Sequence, residues 1–251
     1  MTSPTGPGNV TAGRLVALAC LCAASLAFVA TSAAGADQLV PAAAESGSGL
    51  SGNGAVRVVP PASPSVAVVA WSAPVDGHVA IVVANGTGSA VRVRSVVGSA
   101  TASSGARTVR AATLTVVPSV LQPFEQALGS VQFRSKSIHF DDTFRFDVKT
   151  GRVRSRDPVG LATGSFVLSP PGTGAVAQTL DLVVTNDTSS TVRGRIDLRV
   201  VCLDEAGTPS TAASGKVAHA AVAPGATTPA SVGFTSLCPV YVVAAQGRPA
   251  R

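Results

Sequence analysis

"VVANGTGSAVRVR" at residues 82–94 returns as "VVTNDTSSTVRGR" at residues 183–195, an offset of 101. Carried without gaps across residues 82–135 and 183–236, the offset leaves 16 of 54 positions identical, among them Asn85/Asn186, Thr87/Thr188, Arg92/Arg193, Arg94/Arg195, Pro123/Pro224 and Phe133/Phe234. Valine and alanine match by chance in a chain this rich in them; asparagine and phenylalanine are scarce enough to carry weight. An interval of about 100 residues is a domain length, whereas solenoid repeats recur every 20–50. The chain therefore reads as two copies of one domain.

Inside each copy the apolar period is two. In "VRGRIDLRVVC", Ile196, Leu198, Val200 and Cys202 fall on one face, with Arg195, Asp197 and Arg199 on the other, which predicts a half-buried antiparallel strand with a solvated outer side. "HVAIVV" and "TLTVV" are β-branched runs of strand length between Gly, Ser and Asn clusters. No sustained helical stripe follows residue 36, and 17 prolines with 25 glycines oppose long helices. Short strands with turn signals every 8–12 residues predict an all-β fold of two tandem antiparallel β-sandwiches, at residues 66–142 and 161–251.

The strand running into an Asn-led turn, "VVTNDTSSTV", followed later by the Pro-Gly turn and Phe-ended strand of "VAPGATTPASVGF", resembles bacterial extracellular immunoglobulin-like and fibronectin-III-like modules. Copy one has "LQPFEQALGSVQF" at the same place, without the glycine after Pro123, which leaves room for a different turn. The resemblance is one of fold, and it implies an adhesive or structural role without fixing a ligand.

The N-terminus carries Arg14, then the apolar run "LVALACLCAASLAFVA", then small residues at Ala34 and Ala36. That order describes a secretory signal peptide over residues 1–36, and a run of roughly 16 is short for a membrane span of about 20. A secreted, extracellular product with no membrane attachment after cleavage is expected. Residues 37–65 are rich in Gly, Ser, Ala and Pro, which predicts a disordered linker. Within it Ala55, Val56, Arg57, Val58 and Val59 form a strand-like stretch, a candidate for addition to a sheet edge of this protein or of a partner.

Loss of the signal removes Cys20 and Cys22 and leaves Cys202 and Cys238, the number for one disulfide in an oxidising compartment. Copy one has Thr101 and Ser137 at the equivalent positions and so lacks both cysteines together; a free thiol pair is the alternative. Loss of Arg14 leaves 18 basic against 13 acidic residues. In "FDDTFRFDVKTGRVRSRDPVG" the alternation predicts a connecting β-hairpin at 143–160, whose outer stripe of Arg152, Arg154 and Arg156, with Lys149 nearby, is a candidate polyanion-binding site. A solvated face, or simply an arginine-rich composition, explains the same residues.

No catalytic motif, cofactor-binding loop or metal-ligand spacing appears in the sequence, and His139 beside "DD" reads as a surface residue. Aromatic content of 4% leaves little for stacking on bases, so no nucleic acid is expected. Asn85-Gly-Thr and Asn186-Asp-Thr match the glycosylation sequon, but their recurrence at one turn fits side-chain turn chemistry better. The expected function is a non-enzymatic interaction or adapter protein of an extracellular assembly, with unidentified protein partners. A wall-associated binder of acidic polymers and a secreted hydrolase with an unrecognised site are the alternatives.

Overall fold

The computed structural model describes residues 38–41, 50–59, 64–105, 107–112, 116–133, 138–172 and 175–250; the expected signal peptide lies outside them. All regular elements among these residues are strands. A leading segment contributes β1 (Gln38–Pro41), β2 (Ser51–Gly52) and β3 (Ala55–Val58). The first half supplies β4 (Val66–Trp71), β5 (His78–Asn85), β6 (Val91–Thr101), β7 (Thr108–Ala112), β8 (Val116–Val117), β9 (Val120–Leu121), β10 (Gln126–Gln132) and β11 (Thr143–Gly151). The second supplies β12 (Val159–Leu168), β13 (Gln178–Thr185), β14 (Val192–Leu203), β15 (Pro209–Val222), β16 (Thr227–Phe234) and β17 (Val240–Pro249).

Pairing order recurs between the halves. One sheet runs β4-β5-β10-β8 and its facing sheet β11-β6-β7, with β9 added to β6. In the second half a seven-stranded sheet runs β15-β14-β17-β12-β13-β16, with β2 on β17. It folds over at β12, whose Val159, Gly160 and Leu161 pair with β17 while Ala162 onward pairs with β13. The limb β12-β13-β16 thus matches β4-β5-β10, and β17-β14-β15 matches β11-β6-β7.

Three apolar cores lie between the layers. Val79, Ile81 and Val83 of β5 meet Val93, Val96 and Ala100 of β6 in the first half. Leu180, Leu182 and Val184 of β13 meet Ile196, Leu198 and Val200 of β14 in the second. The third core joins the halves: Ala80 and Val82, on the opposite face of β5, and Leu128 of β10 pack on Val201 and Leu203 of β14 and on Val242 and Ala244 of β17. Strands buried on both faces read as continuous apolar runs, which is why "HVAIVV" does not alternate. Valine predominates in this middle core, with Leu50, Leu128 and Leu203 and the alanines Ala70, Ala80 and Ala244 filling the rest.

Two expectations are corrected here. The outer side of β14 is not solvated throughout, because the first half covers it: Arg199 donates from Nη1 to Ser130 Oγ at 3.4 Å, and burial lowers its pKa from the usual guanidinium range, with Asp197 opposing the shift. Nor is all of 37–65 disordered. β2 pairs with β17, β1 pairs with β3, and Leu50, Val56 and Val58 are buried in the middle core. Those three apolar side chains supply the burial that the surrounding Gly/Ser composition lacks.

Candidate functional site

The repeated motif that opens the sequence reading builds the same knot in each half. Asn85 and Asn186 are fully buried. Asn85 Nδ2 donates to Ser89 O at 2.9 Å, Leu121 O at 3.2 Å and Gln122 O at 2.9 Å; Asn186 Nδ2 donates to Ser190 O at 2.9 Å and Val222 O at 2.8 Å. Their Oδ1 atoms accept from the hydroxyls of Thr87 at 2.6 Å and Thr188 at 2.7 Å. With amide nitrogens used up inside the fold, these asparagines serve the turn and are closed to glycosylation in the folded protein. The Asx-type bonding is the one the sequence suggested.

Each knot fixes a second turn. Phe124 N donates to Asn85 O at 2.8 Å, as Gly225 N does to Asn186 O at 2.7 Å, and Glu125 N reaches Gln122 O as Ala226 N reaches Ala223 O. The missing glycine after Pro123 therefore does not change the turn: Phe124 takes φ +65°, close to the +75° of Gly225. A left-handed backbone costs a residue with a Cβ roughly 1–2 kcal/mol. The Phe124 ring gains little burial in return, since the residue is 79% exposed.

Between the halves lies a cleft of about 460 Å³, lined by Arg92 and Arg94 of β6 and by Arg193, Arg195 and Arg248 of β14 and β17. Strand irregularities aim these side chains. In the β6–β11 pairing Lys149 is opposite Ser95 and Thr150 opposite Val93, so Arg94 is bulged out of register. In the β14–β17 pairing Arg193 is opposite Arg248 and Asp197 opposite Gln246, so Gly194, Ile196 and Arg195, the counterpart of Arg94 at offset 101, are out of register with β17, while Arg195 stays paired with Ala218 of β15. Bulges re-aim side chains in this way and gather beside functional sites. Room for Arg94 comes from Gly151, where a Cβ would collide with the guanidinium.

Among the described residues, two carboxylates enter the arrangement. Asp157, buried in the loop between the halves, accepts from Arg92 Nη1 at 2.6 Å and from the Arg154 backbone at 2.8 Å. Asp197 pairs with Arg195 Nε at 2.9 Å. Arg92 Nε is buried in the cleft wall without a hydrogen-bond partner. Gln246 Oε1 accepts from Ser119 N at 2.8 Å and ties the floor across the two halves.

The expected hairpin at 143–160 does not form. β11 pairs with β6, residues 152–158 are a loop closed by the Asp157 bonds, and residues 159–160 already belong to β12. Arg152, Arg154 and Arg156 consequently share no strand face. Arg154 and Arg156 border an extension of the arginine cleft next to Arg92 and Arg248, whereas Lys149 is exposed on β11 and Arg152 is exposed without lining the cleft. Of the candidate partner strand, Val56 and Val58 face the middle core, and Arg57 and Val59 are exposed.

Cys202 and Cys238 are bonded, with Cα atoms 5.3 Å apart, inside the second half's core. Cys202 sits on β14 and Cys238 in the connection between β16 and β17, so the bridge links the two limbs of the folded-over sheet. Gln178 holds the same connection, accepting from Cys238 N at 2.8 Å. Tyr241, opposite Cys202, packs edge-on to Phe166 at 5.8 Å, and burial raises its phenol pKa. His139 is exposed, and among the described residues no three His, Cys, Asp or Glu side chains converge as a metal site.

Compared with known proteins, the sequence matches no family and no curated relative. What the site can do therefore rests on its own geometry. Convergent guanidinium groups bind anions and cannot serve as general bases; the displayed ring offers apolar contact.

Proposed function

We propose that the chain is an exported, non-enzymatic adapter built from two tandem immunoglobulin-like sandwiches, holding a protein partner in an extracellular assembly. Phe124 carries this reading. The same turn is made in the second half with glycine, so the strain and the exposed ring at position 124 bring nothing to the fold itself. Strain that internal packing does not reward points outward, to a contact made with something else. A phenyl ring held by an over-determined turn is an anchor of the kind that dominates protein interfaces, entering an apolar pocket on the partner. The signal-like N-terminus and the cystine both fit an oxidising compartment outside the cell.

The test compares wild type with Phe124→Gly, both tagged and recovered from the producing organism's culture medium. A partner that stays with wild type and is lost from the glycine variant, while the variant melts no lower, supports the adapter. A partner set unchanged by the substitution, or none at all, overturns it.

A further inference from the structure

The distribution of charge separates a binding site from an arginine-rich composition. The cleft and its extension hold seven arginines: Arg92, Arg94, Arg193, Arg195 and Arg248, continued by Arg154 and Arg156. They face two acids, Asp157 and Asp197, which leaves +5. Residues 37–251 carry 18 basic and 13 acidic groups, also +5, so the other eleven of each sign cancel. A compositional excess would be spread over the surface. Here seven arginines against two acids are gathered in one concavity.

We infer that this cleft binds a ligand carrying several closely spaced anionic groups, phosphate or carboxylate, gripped by both halves at once. The two out-of-register residues, Arg94 and Arg195, come from equivalent positions in separate halves and line one cavity, so a single ligand spanning it meets a planar fork from each. Such forks bind carboxylate and phosphate through paired hydrogen bonds. Arg92, anchored by Asp157, adds a further guanidinium to the cleft wall. Among the described residues no aromatic side chain lines the cleft, so recognition falls on the ligand's charged groups and not on a base or sugar face. The inference is independent of the Phe124 anchor and stands or falls separately from it.

Titration calorimetry on the purified protein at low ionic strength tests it with three probes: orthophosphate, tripolyphosphate and a short oligogalacturonate. Tripolyphosphate or the oligogalacturonate should bind at least tenfold more tightly than orthophosphate, and the ranking of the two names the anionic group preferred. Affinity should fall steeply with added salt. Arg94→Ala and Arg195→Ala should each weaken binding about tenfold or more, whereas Lys149→Ala and Arg152→Ala, which remove the same charge outside the cleft, should change it less than twofold. Circular dichroism of each variant confirms that the sheet fold is kept. Equal losses from all four variants would reduce the effect to diffuse net charge and overturn the site. Binding of orthophosphate as tight as that of the oligomers would overturn the two-handed grip, and so would no binding of any probe.

Discussion

The two halves of the molecule reach one topology by different means of stabilisation. The second is fastened by the Cys202–Cys238 bond and, among the described residues, has one aromatic pair, Phe166 with Tyr241. The first has Thr101 where the second has Cys202, and Thr101 Oγ1 lies 3.2 Å from Thr108 Oγ1. It compensates with a chain of rings: Trp71 to Phe146 at 5.6 Å, Phe146 to Phe144 at 6.4 Å and Phe144 to Phe133 at 6.0 Å. Both keep the asparagine knot. Pairing order and turn wiring thus specify the architecture, while the means of holding the facing sheets together is interchangeable. Aromatic pairs contribute about 0.5–1.5 kcal/mol each beyond their burial, so three of them approach the contribution of one cross-link.

Breaking the cross-link should have the largest effect. Replacing Cys202 and Cys238 together by alanine should lower unfolding free energy by about 3–4 kcal/mol, the chain-entropy value for the 36-residue separation. Chemical denaturation of the variant measures it, and wild type under reductant should match. A loss below 1 kcal/mol would mean that the second half, like the first, holds without a covalent fastening.

Next come the knots. Asn85→Ala and Asn186→Ala should each cost about 2–3 kcal/mol, because buried carbonyls and a threonine hydroxyl lose their partner. Urea titrations of the two variants compare them directly. The loss at Asn85 should be the larger, since it donates to three carbonyls where Asn186 donates to two. A neutral result at either position would show that the halves are not wired alike.

The smallest effect is the most informative about function. Phe124→Gly should raise stability by about 0.5–1 kcal/mol, relief of left-handed strain offset in part by the greater freedom of glycine in the unfolded chain. The reciprocal Gly225→Phe should lower it by about 1–2 kcal/mol. Paired melting curves read both. A stability loss in Phe124→Gly would place the ring's purpose inside the fold after all.

Much of this was legible in one dimension. Period-two patterning, the 101-residue offset and the joint absence of cysteines from the earlier copy announce an all-β chain with one cystine, because strand alternation and turn chemistry are local. The knots were readable too, as an asparagine followed two residues later by threonine in both copies. The order "KTGRVRSR" misled, since alternating charge around a turn signal looks the same whether the second limb is a strand or a loop tied down by Asp157 from within. Residues 37–65 misled similarly: composition speaks for the average of a segment, and three buried side chains, Leu50, Val56 and Val58, are enough to dock it.

The sequence by itself determined the all-β class, the repeated asparagine turn, the paired cysteines and the amount of positive charge, each of which depends on neighbours in the chain or on simple counting. Tertiary structure alone decided that the halves stack through a third core, that Arg199 is buried there, and that arginines about 100 residues apart, Arg94 and Arg195, share one cleft. The physical reason is that alternation tells which side chains share a face of a strand but not what covers that face. Here the cover for one half is the other, and the seam between them is where the charge collects.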